Sequence, residues 1–424
     1  MIDFQAEDKK NIWHPFTPLI GAPDPILVER AEAEYLYTPS GRKIIDAVSS
    51  WWVNLHGHSN AVIAAAIAKQ ATTLEHVIFA GFTHPPAIEL SKNLLSILPS
   101  NQKKIFFSDN GSTAVEVAIK MALQYWYNLR HRKINIIAID GAYHGDTFGS
   151  MSVGERGMFT APFQSRLFDV HFIPYPTKGT EAAVLKQFKK LIDDSAAGIF
   201  IYEPLVQGAA GMRMYSSELL DELIKEAKAR KVICIADEVF TGFGRTGKLF
   251  ASLHGSQLPD IMAVSKGITG GAMPLGVTSC SEEILSPFET DDFMKTFFHG
   301  HSYTANPLAC AAANASFQLL TSESCRQAIQ FITESHEAFK ASVATHPAIY
   351  EVRSLGTILA IELKSVDGSS YANPIRKKIY DFFIERDVLL RPLGNTIYVL
   401  PPYVMSKQAL DRTYDVIREF LSAI

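Results

Sequence analysis

Cysteine is scarce in this chain of 424 residues: Cys234, Cys280, Cys310 and Cys325 are all it has, and none stands in a CxxC pair. That sparseness excludes a disulfide framework and a cysteine-based zinc cluster. Long apolar runs are missing as well, since none approaches the roughly 18 residues of a membrane span. Residues 1–10 mix Asp, Glu and Lys without the apolar stretch of a signal peptide, so the expectation is a cytoplasmic protein with no membrane partner. Neither sign of charge is in excess. With 40 Lys and Arg against 44 Asp and Glu, the net charge of −4 gives no electrostatic reason to expect nucleic acid, and an anionic ligand would need local sites. Low-complexity tracts and internal repeats are absent too.

What the chain does have is length and apolar content. At 47% hydrophobic and 20% charged residues it reads as an ordinary globular protein, long enough for two domains because single cores stop growing at about 250 to 300 residues. Short, fully apolar runs alternate with longer helical stretches between about residues 50 and 310, the pattern of parallel strands and crossover helices in an α/β sheet. The candidate strands are 104–107, 134–139, 198–202, 232–236 and 261–264, apolar but for Lys104 and Asn135, and each ends in something polar: Ser108-Asp109-Asn110-Gly111-Ser112, Asp140 to His144, Glu203-Pro204, Asp237-Glu238 and Ser265-Lys266. Ligands bind beyond the carboxyl ends of such strands, so the five exits should share one edge of the sheet. After Pro307 an Ala-rich helix and shorter amphipathic elements read as a smaller α+β domain. The first 50 residues, too short to fold alone, should pack with it.

At the exits, residue types suggest chemistry while leaving bland readings open. Lys266 lies where an apolar strand meets a glycine-rich loop, a place where desolvation favours a neutral amine able to form a Schiff base, although a strand-end lysine can also snorkel to solvent. Gly111-Ser112-Thr113 opens a helix on which Glu116 and Lys120 are spaced as an ion pair, and its N-terminus is either a phosphate site or a plain cap. Asp237 could hold the protonated nitrogen of a pyridine ring, or pair with Arg245. Tyr143 could stack on a planar ring or fill a domain interface, and Trp51 and Trp52 are core or pocket wall. Arg391 could clamp a carboxylate bidentately, or lie exposed. Two other patterns carry less. The stretch Gly242 to Lys248 matches GxGxxG and GxxxxGK by accident, because Leu249 replaces the Ser or Thr of a phosphate loop and no strand exit directly precedes it. His56 and His58 lack a third metal ligand at motif spacing.

Taken in order, Ile12-Trp-His-Pro-Phe-Thr17, Ser49-Ser-Trp-Trp52, the helix Ala114 to Trp126, Tyr143-His-Gly-Asp-Thr-Phe148, Gln207 to Tyr215 and Thr241 to Ala251 resemble the signatures of class III, fold-type I aminotransferases, which depend on pyridoxal 5′-phosphate. The resemblance spans essentially the whole chain. It implies an α/β fold with a large, mostly parallel sheet domain at 51–309, a smaller α+β domain at 310–424 and an N-terminal segment at 1–50. It further implies that Lys266, Asp237 and Tyr143 are catalytic, Lys266 as the Schiff-base lysine and Asp237 on the ring nitrogen, with Gly111 and Ser112 on the phosphate. Phe16, Trp51, Trp52, Gly300 and Arg391 match substrate positions, while His301 and Ser302 match phosphate contacts donated across a homodimer with shared sites. The implied substrates are a small-molecule amino donor and a keto acceptor. Within the family the biotin-pathway branch is nearest, with 8-amino-7-oxononanoate as acceptor and S-adenosylmethionine or lysine as donor. An ω-aminotransferase for ornithine, 4-aminobutyrate or a diamine is the alternative. Three departures from the branch, Phe16 for a tyrosine, His301-Ser302-Tyr303 for Pro-Thr-Phe and Pro274-Leu275-Gly276 after the glycine pair, bear on the donor.

Overall fold

The computed structural model describes residues 3–365 and 373–424. Its central sheet is built from β1 (Gln102–Ser108), β2 (Ile136–Ile139), β3 (His171–Ile173), β4 (Ile199–Tyr202), β5 (Ile233–Asp237), β6 (Ile261–Val264) and β7 (Gly276–Ser281). The spatial order is β1-β7-β6-β5-β4-β2-β3, with β7 antiparallel to both its neighbours and the other pairings parallel. Because β7 reverses twice, β1 runs in the same direction as β6. All five expected strand exits therefore open on one edge of the sheet.

The apolar runs are continuous because both faces of the sheet are covered. Along β4 and β5, Phe200, Tyr202, Cys234 and Ala236 pack into one core, while Ile199, Ile201, Ile233 and Ile235 point into another. Alternation of side chains across a strand divides them this way. Helix α1 (Gly111–Asn128) fills the second core with Ala114, Val115, Ala118, Met121 and Ala122.

Two strands escape the apolar pattern. β3 has three residues, too few to form a run, and β7 reads Gly-Val-Thr-Ser-Cys-Ser, too polar for a buried strand. β7 is nevertheless buried throughout, because two of its three hydroxyls find partners: Thr278 Oγ1 donates to Ala114 O at 2.7 Å and Ser279 Oγ to Gln102 Oε1 at 2.7 Å, while Ser281 Oγ has none among the described residues. A second expectation fails outright. Glu116 and Lys120 do not pair; Glu116 accepts from the backbone N–H groups of Gly149 and Ser150 at 2.7 and 3.2 Å, and Lys120 reaches Phe298 O and His299 Nδ1 at 3.2 and 3.0 Å. The free N–H groups at the start of Phe148–Ser152 attract the carboxylate more strongly than a solvated ammonium does.

The two ends of the chain meet. Strands Arg30–Glu32, Tyr35–Tyr37 and Lys43–Asp46 form a sheet completed by Val388–Leu389, which lies parallel to Lys43–Asp46. A separate antiparallel sheet joins Ile349–Leu355, Ile358–Leu363 and Thr396–Val399. The helix Pro307–Leu320 crosses position 309/310 and lies against the helices Ala61–Ala71 and Pro85–Ile97 and the turn at Lys266–Thr269.

If satisfied hydroxyls are what allow β7 to be buried, Thr278→Val should cost about 1 kcal/mol despite its matched shape. A lower urea midpoint at unchanged slope is the expected reading, and an unmoved midpoint would refute the explanation.

Candidate active site

Lys266 follows β6 directly and opens a short 3-10 turn, Lys266–Thr269, with its backbone held at φ 42, a left-handed value unusual for a lysine. Ser265 Oγ anchors the approach by donating to Leu275 O at 2.7 Å, and Gly267 follows because a Cβ there would meet Leu55 Cδ1 at 2.9 Å. The amine lies 5.0 Å from the centre of the Trp52 ring. Burial pushes its pKa below the ordinary lysine range; Asp237 and Glu203 oppose that fall and Arg245 adds to it.

Asp237, the last residue of β5, is buried and held on two sides: Oδ2 lies 2.7 Å from His144 Nδ1, and Oδ1 accepts the Val239 N–H at 3.0 Å. Its partner is thus His144, not Arg245. His144 Nε2 is buried without a hydrogen-bond partner among the described residues. Behind this pair lies a carboxylate to which the sequence assigns no role. Glu203 accepts the N–H groups of Tyr143 and Gly208, both at 2.9 Å, and burial raises its pKa to about 7, with His144 lowering it and Asp237 raising it. The Tyr143 ring is half-exposed, and its phenol is pushed above the ordinary tyrosine range by burial and then by Asp146 beside it.

Helix α1 brings a third group to the same edge. Asn110 caps it through Oδ1 to the Thr113 N–H at 2.9 Å, leaving the N–H groups of Gly111 and Ser112 at its open end. Glycine is required at 111 for a close approach to the β5 exit, because a Cβ would come within 2.6 Å of Val239 Cγ1. Ser112 Oγ already serves the neighbouring loop, accepting the Thr147 N–H at 3.0 Å and sharing a proton with Thr147 Oγ1 at 2.8 Å.

Trp51 and Trp52, adjacent in sequence, diverge. Ser49, Ser50 and Trp52 all have positive φ, at 52, 62 and 68, and Asp46 holds the bend by accepting from the N–H groups of Val48 and Ser50 at 3.2 and 2.7 Å. As a result Trp52 is buried, with 6% of its surface exposed, while Trp51 keeps 41%. The guanidinium of Arg391 lies 4.4 Å above the Trp51 ring, and no carboxylate pairs with it among the described residues. Phe16 meets Trp51 edge-on at 6.0 Å and Phe159 at 5.8 Å, closing an aromatic box.

Gly300, His301 and Ser302 lie elsewhere in this single chain. Their segment runs along the outer side of α1, where Gln124 Nε2 donates to Thr296 O at 2.8 Å, and Gly300 and Ser302 are exposed. His301 Nδ1 accepts the Tyr303 N–H at 3.2 Å, and its Nε2 is buried without a partner among the described residues. The histidines at 56 and 58 turn apart, His56 to Ser316 Oγ at 3.1 Å and His58 to Asp46 at 2.9 Å.

A desolvated amine, a braced carboxylate, a helix N-terminus and a half-exposed phenol ring share one sheet edge, and they fit the groups of pyridoxal phosphate: aldehyde, ring nitrogen, phosphate and ring face. The sequence put His144 and Glu203 at strand exits on this edge but gave neither a role. Contact between His144 and Asp237 spans 93 positions, and only the order of the parallel strands creates it.

Comparison with known proteins agrees. The family model for class III aminotransferases matches residues 21–421. A protein of Synechococcus elongatus named adenosylmethionine-8-amino-7-oxononanoate aminotransferase is 47% identical over 422 residues, covering 98% of this chain and 99% of its own length. A Staphylococcus aureus protein of the same name is 36% identical, with 95% and 94% covered. Among solved structures, the enzyme of that name from Methanocaldococcus jannaschii superposes with a TM-score of 0.92 at 34% identity, covering 98% of each chain. A PLP-bound amine transaminase from an uncultivated Pseudomonas species superposes with a TM-score of 0.91 at 28% identity, over 97% of this chain and 98% of the other. With a family model and relatives that span nearly its whole length, this chain belongs to the class III aminotransferases and is a transaminase dependent on pyridoxal phosphate.

Proposed function

We propose that the enzyme transfers an amino group from S-adenosylmethionine to 8-amino-7-oxononanoate, forming 7,8-diaminononanoate for biotin synthesis, as a cytoplasmic homodimer with shared sites. The observation that carries this reading is Arg391, a cation without a carboxylate partner among the described residues, 4.4 Å over the Trp51 ring beside Phe16 and Phe159. Such an arrangement suits an acceptor with a carboxylate at the end of an aliphatic chain. The names of the relatives from Synechococcus elongatus and Staphylococcus aureus favour the same acceptor.

Pyridoxal phosphate, when bound, supplies a carbonyl carbon that takes up amines and a ring that draws electrons from the reacting carbon. Lys266 would hold it through its amine and, once released, carry a proton at Nζ to and from the reacting carbon. Asp237, braced by His144, would keep a proton on the ring nitrogen. The N–H groups of Gly111 and Ser112 would bind the phosphate at the end of α1, joined by His301 and Ser302 of the second copy. Tyr143 would pack on the ring. Gly300, exposed and away from this chain's own site, would reach the substrate chain only from the second copy, alongside His301 and Ser302. Phe16 brings no hydroxyl into the box, which makes lysine the second donor to test.

Three outcomes follow from this reading. Lys266→Ala should abolish turnover and the visible absorbance of the purified protein, and an unchanged spectrum would defeat the Schiff-base assignment. Arg391→Met should raise KM for the acceptor about 10- to 100-fold with a smaller change in kcat, the size of one lost charge-assisted contact. Mixing the enzyme separately with S-adenosylmethionine, lysine, ornithine and 4-aminobutyrate, the first should bleach the visible band. Bleaching by ornithine or 4-aminobutyrate alone would move the enzyme to another branch of the family.

A further inference from the structure

The two adjacent tryptophans each face a cation. Trp51 lies under Arg391 at the open side of the site, whereas Trp52 lies under Lys266 in the interior. The Trp52 ring is fixed more firmly than a pocket wall requires. Its Nε1 donates to the Tyr398 hydroxyl at 3.0 Å, Phe240 packs on it at 4.7 Å, and Tyr398 meets it edge-on at 6.2 Å. Its backbone is held as well, in the left-handed region at φ 68, with its carbonyl accepting from Arg245 Nη2 at 3.3 Å. Left-handed backbone at a bulky residue is costly and persists only where the surroundings impose it.

We propose that Trp52 is a positioning residue for Lys266, its indole face being the place where the amine rests whenever it is free of cofactor and protonated. This rests on the reading of Lys266 as the Schiff-base lysine. A lysine that shuttles a proton must be neutral when it accepts and must tolerate the charge afterwards. Desolvation favours the first condition and works against the second. An aromatic face answers the second, because its quadrupole stabilises an ammonium without presenting a carboxylate that would compete for the proton. The charged groups around the amine are Asp237 at the end of β5, Glu203 beyond β4 and Arg245 in the loop after β5. Asp237 is committed to His144 and Val239, and Glu203 to the N–H groups of Tyr143 and Gly208, so neither makes a hydrogen bond to the amine. Trp52 is then the contact that meets the amine directly.

The test is the titration of Lys266 in the full-length enzyme with its cofactor in the amine form, which leaves the lysine free. Competitive acetylation across pH, with the Lys266 peptide quantified by mass spectrometry, reads the midpoint without measuring turnover. Trp52→Leu should lower that midpoint by about 0.4 to 1.5 pH units, the range of a desolvated cation–π contact, and Trp52→Phe should restore part of it. Because Trp52 is buried, a shape-preserving series of fluorinated tryptophans placed at position 52 provides a second measurement. The midpoint should fall stepwise as fluorination weakens the ring quadrupole. A flat series, or an unmoved midpoint in folded Trp52→Leu, would overturn the proposal. Failure of borohydride to fix the cofactor on Lys266 in the unsubstituted enzyme would instead overturn the Schiff-base reading beneath it.

Discussion

A buried guanidinium without a counter-ion holds this site together. Arg245 is 1% exposed and no carboxylate lies within ion-pairing distance among the described residues. Its Nη1 and Nη2 donate to backbone carbonyls instead, Pro401 at 2.9 Å, Trp52 at 3.3 Å and Asn54 at 3.4 Å, while Nε has no partner among the described residues. Segments far apart in the chain are thereby fastened to the loop that follows β5. Tyr403 lies against the guanidinium at 5.3 Å, and the Tyr403 hydroxyl donates to Phe243 O in the same loop at 2.7 Å. The loop is pinned from its other end by Glu238, whose carboxylate accepts the Thr241 hydroxyl and the N–H groups of Ala251 and Ser252. A cation there also acts at a distance. It adds to the burial that lowers the Lys266 amine, and it is the second cause, after burial, of a His56 pKa of about 4.

Around Lys266 the physical influences are set against one another. Burial and Arg245 favour a neutral amine, while Asp237 and Glu203 favour a charged one, and Asp237 is itself tied to His144. Such balance costs backbone strain. Ser49, Ser50, Trp52 and Lys266 all hold positive φ, and the bend at 49–52 is enforced by Asp46, by Arg245 and by the Ser49 hydroxyl donating to Leu400 O at 2.8 Å. Strain of this kind gathers where geometry matters more than local stability.

Much of the sheet was legible because parallel strands covered on both faces must be apolar throughout. The runs of β2, β4, β5 and β6, buried throughout, follow from that requirement, whereas β1 keeps Lys103 and Lys104 exposed. β7 was illegible for the converse reason: the hydroxyls of Thr278 and Ser279 are satisfied by Ala114 and Gln102, which lie 164 and 177 positions away, so a polar sequence occupies a buried strand. Glu116 and Lys120 misled because i,i+4 spacing describes what a helix can do alone, and here each side chain finds a better partner in another segment. Asp237 and Arg245, close in sequence, turn to different partners for the same reason.

By itself, the sequence determined the α/β class, the one-edge gathering of strand exits, the family, and the candidate residues Lys266, Asp237, Gly111, Ser112, Tyr143, Trp51 and Arg391. Those conclusions rest on local pattern: apolar periodicity, the residue type that ends a strand, and motifs read in order. The tertiary structure alone decided that Asp237 faces His144, that Glu203 stands buried behind them, and that Trp51 and Trp52 serve different cations. Each of these depends on which strands are neighbours and on a strained bend held by distant carbonyls, and neither is encoded in the spacing of nearby residues.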